Sequence, residues 1–98
     1  MGEITLTQHA KLRMAQRNVT WAQLCFILEH GQRLYRAGVC LVYLRRKDIP
    51  LKLLTQNQFA SLEGTAVVLN RQGTIAMTLW RNRAKGLRHI MRKPDFSY

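Results

Sequence analysis

The chain has 98 residues and sets 16 Lys and Arg against 5 Asp and Glu, a formal net charge of +11. At that length it makes one domain with one modest core, its 47% hydrophobic content argues against disorder, and no apolar run approaches the roughly 20 residues of a membrane span. The five acids, Glu3, Glu29, Asp48, Glu63 and Asp95, stand singly, which excludes a two-metal phosphoryl-transfer centre built from several carboxylates.

The first helix is expected after Thr5 or Thr7, because Thr5-Leu6-Thr7-Gln8 fits a capping box, and its end near Asn18, a residue that tolerates the left-handed C′ position. Thr20-Trp21-Ala22-Gln23 is a second capping box. It opens a helix in which Trp21, Leu24, Cys25 and Leu28 recur at helical spacing and which Gly31 closes. Two short antiparallel helices over residues 5–31 follow. Strands come next: Arg33–Arg36, then the β-branched and aromatic run Val39–Leu44. Pro50 leaves Leu51–Leu54 open between an edge strand and a short helix, and residues 56–64 read as loop or helical turn. Thr65–Leu69 is a strand, Asn70-Arg71-Gln72-Gly73 a hairpin turn, and Thr74–Trp80 an alternating strand that returns antiparallel. The expected architecture is a single α+β domain: two helices on one face of an antiparallel sheet of about four strands over residues 32–80, followed by a basic tail, 81–98.

That tail carries the densest charge. Between Trp80 and Lys93 lie Arg81, Arg83, Lys85, Arg88, Arg92 and Lys93, with no acid among them. Such a stripe neutralises phosphates and predicts salt-sensitive nucleic-acid binding, with Trp80 placed either to stack on an unpaired base or to join the core. Bulky apolar residues are too few there to make an interfacial membrane helix.

The first helix holds a less usual pattern. At about 100° per residue, Leu6, Ala10 and Met14 share an arc of roughly 140° with His9, Arg13 and Arg17, so cations stand on or beside the face that meets the sheet. Arginine stems can bury their methylenes and send the head to water, or pair with Glu29 or Glu63. Alternatively the forks hold phosphate bidentately, with His9 as general acid or base, Thr78 orienting the phosphate and Arg81 adding a cation. Cleavage of RNA by such a set needs no metal and no cofactor. Neither is expected, since Cys25, Cys40, His9, His30 and His89 lack zinc-ligand spacing and there is no Gly-rich phosphate loop. His30 is read as helix capping and the two cysteines as small core residues of a reduced, cytoplasmic protein without a signal peptide.

The run His9-Ala10, Arg13-Met14, Arg17-Asn18-Val19-Thr20, Leu28 and Gly31 resembles a bacterial family of small domains, the domain of unknown function 4258. The later segment Gly64–Leu69, the Gly73 turn and Ile75–Arg83 is similar to that family's closing hairpin, with Trp80 where tyrosine is usual. Over about residues 7–93, the resemblance implies a fold remotely similar to the barnase–RelE-type small ribonucleases and toxins. His9, Arg13, Arg17, Thr78 and Arg81 are the positions matching its motif. The expected function is nucleic-acid binding, RNA before DNA, with a ribonuclease-like or toxin-like activity. The alternatives are a binding module without catalysis, or a protein whose cations meet an acidic partner chain. A homodimer is compatible with either.

Overall fold

The structure, a computed structural model, describes residues 4–81. Its elements run β1 (Thr5–Leu6), α1 (Gln8–Arg17), α2 (Trp21–His30), β2 (Gln32–Arg36), β3 (Val39–Tyr43), two 3-10 turns (Arg46–Asp48 and Leu51–Leu53), α3 (Asn57–Ala60), β4 (Thr65–Asn70) and β5 (Ile75–Arg81). The fold is α+β, with three helices and a five-stranded mixed sheet in the order β1-β5-β4-β3-β2 among the described residues. Strands β2 to β5 are antiparallel neighbours, as their pattern predicts. The fifth, β1, adds a parallel edge on β5.

That edge corrects the reading of Thr5 as a helix start. The backbone N–H of Thr5 donates to Thr74 O (2.9 Å) and that of Thr7 to Ala76 O (3.1 Å), so the segment is held extended along β5. Thr7 then caps α1. Its Oγ1 accepts from the Ala10 N–H (3.0 Å) and donates to Met77 O (2.8 Å), tying the helix start to the strand beneath it. The helix ends as its sequence predicts, on Asn18 in the left-handed region at φ 56° and ψ 41°.

The second helix begins on the expected capping box. Thr20 Oγ1 accepts from the Gln23 N–H (3.1 Å), and Gln23 Oε1 accepts from the Thr20 N–H (2.9 Å). Its end is not the left-handed cap that glycine usually supplies. Gly31 sits at φ −69° and ψ 155°, and what it provides is space. A Cβ there would lie 2.7 Å from both Ile27 O and Val42 Cγ1. Leu51–Leu53, left open by the sequence, is a 3-10 turn that Pro50 starts, its carbonyl accepting from the Leu53 N–H (2.8 Å). The preceding turn opens on Arg45 and closes on Asp48. Its carboxylate accepts from Arg45 N (2.9 Å), Nε (2.9 Å) and Nη2 (2.8 Å). These bonds, outweighing partial burial, hold the Asp48 carboxyl below its ordinary range and push Arg45 higher still.

The sheet separates two apolar clusters. Residues directly opposite in a ladder share a face. On the helix side, Cys40, Val42, Leu44, Val67, Leu69, Ala76 and Leu79 pack with Met14 of α1 and with Leu24, Phe26, Ile27 and Leu28 of α2. On the far side, Val39, Leu41, Tyr43, Ala66 and Val68 form a second cluster, against which Leu34, Met77 and Trp80 pack. Trp80 therefore belongs, half-buried, to the far cluster, opposite Ala66.

The alternation of β5 is broken once. Val68 pairs with Thr78 and Leu69 with Ala76, which leaves Met77 as an extra residue in the ladder. A one-residue insertion flips every side chain beyond it. Ala76 faces the helices before the bulge and Leu79 faces them after it. Thr78, opposite Val68, is turned to the far side and buried.

Candidate nucleic-acid interface

The bulge decides which of the predicted site residues meet. With an unbroken alternation, Thr78 would share the helix side with Ala76, and Arg81 would face away. With Met77 inserted, Thr78 leaves that side and Arg81, opposite Thr65 and in phase with Leu79, joins it. The structure thus separates Thr78 from α1. Its burial on the far face keeps its hydroxyl away from any phosphate held by the helix.

Along α1 the buried stripe narrows to Ala10 and Met14. His9, Arg13 and Arg17, each four residues from the next, run down one shoulder of that stripe instead of beneath the helix. His9 and Arg17 are exposed and Arg13 is half-buried. Arg13 Nε donates to His9 Nε2 at 3.5 Å. Neither arginine draws on the acids that the sequence offered. Among the described residues, ion pairs join Arg45 to Asp48 (2.8 Å) and Arg46 to Glu63 (3.8 Å), and Glu29 is exposed on α2.

The row ends in a small pocket at the foot of α1. Arg17 and Arg81 line it together with Gln23, Ser61 and Thr65, over a floor of Leu62 and Leu79. It encloses about 40 Å³, room for two or three waters and so on the scale of a single phosphate group. Among the described residues, no carboxylate lines it. Gln23 is fixed there by its cap and by an Nε2 bond to Gln58 O (2.7 Å). Gln23, Ser61 and Thr65 escaped the sequence reading. The capping box marked Gln23 as structural, and nothing local ties Ser61 and Thr65 to the end of α1.

His9 lies eight residues up the helix from Arg17, about 12 Å at 1.5 Å per residue, and does not line this pocket. Arg83, Lys85, Arg88, Arg92 and Lys93 lie outside the described residues, as does His89. Among those described, no three His, Cys, Asp or Glu side chains group as a metal site would require, and no helix is long and apolar enough to cross a membrane. Cys40 is a buried free thiol in the helix-side cluster and Cys25 is half-buried. His30 stacks on Phe26 with ring centroids 4.4 Å apart, while the C-terminal carbonyl of α2 at Leu28 is met by Arg33 Nη2 (3.3 Å). Comparison with protein-family models, with curated proteins and with solved structures finds no match to this chain.

Proposed function

We propose that the chain binds single-stranded nucleic acid, RNA before DNA, by gripping a phosphate between Arg17 and Arg81 at the foot of α1. Arg13 and His9 continue the cationic row along the helix shoulder. The convergence of Arg17 and Arg81 carries this reading: two arginines from elements far apart in sequence line one phosphate-sized pocket, with no acid among its described lining residues. Arginine forks match phosphate oxygens bidentately. The basic residues from Arg83 to Lys93 belong to the same proposal as backbone grips, and the similarity to the domain of unknown function 4258 family is part of it. Cleavage is the weaker member. His9 stands a helix length away from the pocket and Thr78 on the opposite face, so binding without catalysis fits the geometry better.

The test is fluorescence anisotropy with labelled oligouridylate and oligothymidylate over a salt series. Each phosphate neutralised on a single strand contributes about 0.7 to the slope of log affinity against log salt, so Arg17→Gln/Arg81→Gln, which removes the grip on one phosphate, should flatten that slope by about 0.7. Replacing Arg83, Lys85, Arg88, Arg92 and Lys93 with Gln should flatten it further. An unchanged slope in the Arg17/Arg81 variant would sink the pocket assignment. A cleavage rate that His9→Ala abolishes would instead establish the catalytic reading.

A further inference from the structure

A second basic site stands at the opposite end of the sheet from Arg81. The pairing of Val39 with both Arg36 and Asn70 brings the β2–β3 turn alongside the β4–β5 turn. Between them lies an open pocket of about 240 Å³, lined by Tyr35, Arg36, Ala37, Gly38, Val39 and Arg71. It is several times larger than the pocket at Arg17, and no acid lines it among the described residues. Neither Arg36 nor Arg71 spends its guanidinium on a hydrogen bond or ion pair among the described residues. The three acids in the described part of the chain lie elsewhere, on α2, in the Arg45–Asp48 staple and beside Arg46.

The backbone beneath these side chains is fixed. Ala37 and Gly38 have φ of 52° and 77°, the two positive values of a type I′ hairpin turn, and Ala37 holds a conformation costly for an L residue. A Cβ on Gly38 would meet nothing within 4 Å, so the turn opens directly to solvent. On the other side, Asn70 Oδ1 accepts from the N–H groups of Thr74 (2.8 Å) and Ile75 (2.9 Å), and its Nδ2 donates to Gln72 and Thr74. Arg71 therefore projects from a braced turn. Tyr35 is 68% exposed on the outermost strand. It lies opposite Cys40 on the helix side, and Arg36 lies opposite Val39 on the far side, so the two bracket the open edge of β2.

The geometry points to a phosphate-and-base site for single-stranded RNA at this end of the sheet. Arg36 and Arg71 hold a phosphodiester in the pocket, and the Tyr35 ring provides a stacking platform for a neighbouring base over the strand edge. Guanidiniums supply charge and aromatic rings supply sequence-tolerant stacking, the pairing of groups that single-strand sites use. The inference rests on the nucleic-acid reading above and adds to it a second contact region and the kind of strand it takes.

The full chain is titrated with labelled oligouridylate and, separately, with inorganic polyphosphate of similar charge. Arg36→Gln/Arg71→Gln should weaken binding to both and flatten the oligouridylate salt slope by about 0.7, the increment of one phosphate. Tyr35→Ala should weaken oligouridylate about tenfold and leave polyphosphate unchanged, because only the nucleic acid carries a base to stack. All three side chains are exposed, and unchanged thermal melting of the variants separates lost contacts from lost folding. If Tyr35→Ala weakens both polymers alike, or neither, the base platform is overturned. If Arg17→Gln/Arg81→Gln weakens oligouridylate while Arg36→Gln/Arg71→Gln does not, this second site fails and the first stands. If the unaltered chain binds neither polymer, both fail together.

Discussion

Gly31→Ala tests the junction on which α2 is laid against the sheet. The new Cβ would stand 2.7 Å from Ile27 O, 2.7 Å from Val42 Cγ1 and 3.3 Å from Tyr43 O. Carbon contacts are comfortable at about 3.5–4.0 Å, so the methyl overlaps two neighbours by close to 1 Å. Neither gives way easily. Ile27 O is backbone that already accepts the Gly31 N–H at 2.7 Å, and Val42 is a fully buried β-branched residue of a central strand. Overpacking of this kind costs about 1–3 kcal/mol, and two rigid contacts place it near the top of that range. Alanine recovers about 0.4–1 kcal/mol by restricting the unfolded chain, since the φ of −69° suits it. The overlap wins, with a net loss of about 2 kcal/mol. For a domain of this size that lowers Tm by roughly 8–16 °C in calorimetry. A double-mutant cycle with Val42→Ala isolates the contact. Removing Cγ1 relieves one of the two overlaps, so the double variant should be about 1 kcal/mol more stable than the sum of the single effects predicts. A Gly31→Ala protein that melts like the parent, or an additive cycle, would refute the close approach of α2 to β3.

Two further outcomes probe the local staples. The depressed Asp48 carboxyl contributes stability that is fully present above the ordinary carboxylate value near 3.8 and is lost as pH falls through the lower folded value. Urea melts at about pH 6 and about pH 2 should therefore differ less in Asp48→Asn than in the parent, with a loss of about 1 kcal/mol at the higher pH. Thr7→Ala removes both the cap of α1 and the bond to Met77 O, at about 1–2 kcal/mol, while Thr7→Ser retains both groups and should melt within a few degrees of the parent.

What the sequence discloses is what nearby residues settle among themselves. The Thr20–Gln23 box, the left-handed Asn18 and the turn closed by Gly73 (φ 76°) each depend on a few consecutive side chains, and each stands where the pattern puts it. The β1 strand was invisible because its hydrogen bonds come from Thr74 and Ala76 at the other end of the chain, and they convert a capping motif at Thr5 into extended backbone. The bulge at Met77 was invisible for another reason. Thr74–Trp80 alternates equally well with or without it, no glycine marks the extra residue, and apolar Met77 can occupy either face. Since that one residue exchanges Thr78 for Arg81 beside α1, only part of the predicted constellation could be read correctly from spacing. The costly charge expected on the face of α1 has the same kind of answer. The helix buries two residues, so its cations stand at the shoulder.

The two arginine sites sit at opposite ends of β4, and that separation makes a prediction of its own. Arg81 is aligned with Thr65 and Arg71 follows Asn70, so the sites are at least about 17 Å apart along a strand that rises roughly 3.4 Å per residue. An oligonucleotide too short to reach from one to the other can occupy only one site at a time. One that reaches converts the second contact into an intramolecular event, with an effective concentration near the millimolar range for a short flexible tether. Affinity should therefore rise in a step as oligouridylate length passes the span, rather than in proportion to length. Below the step, Arg17→Gln/Arg81→Gln and Arg36→Gln/Arg71→Gln should each remove one independent mode of binding. Above it, either pair alone should collapse the affinity nearly to that of a short oligomer. Isothermal titration across a length series reads both features. A smooth rise with length, in which each variant loses the same factor at every length, would mean that the two ends of the sheet never engage one strand together.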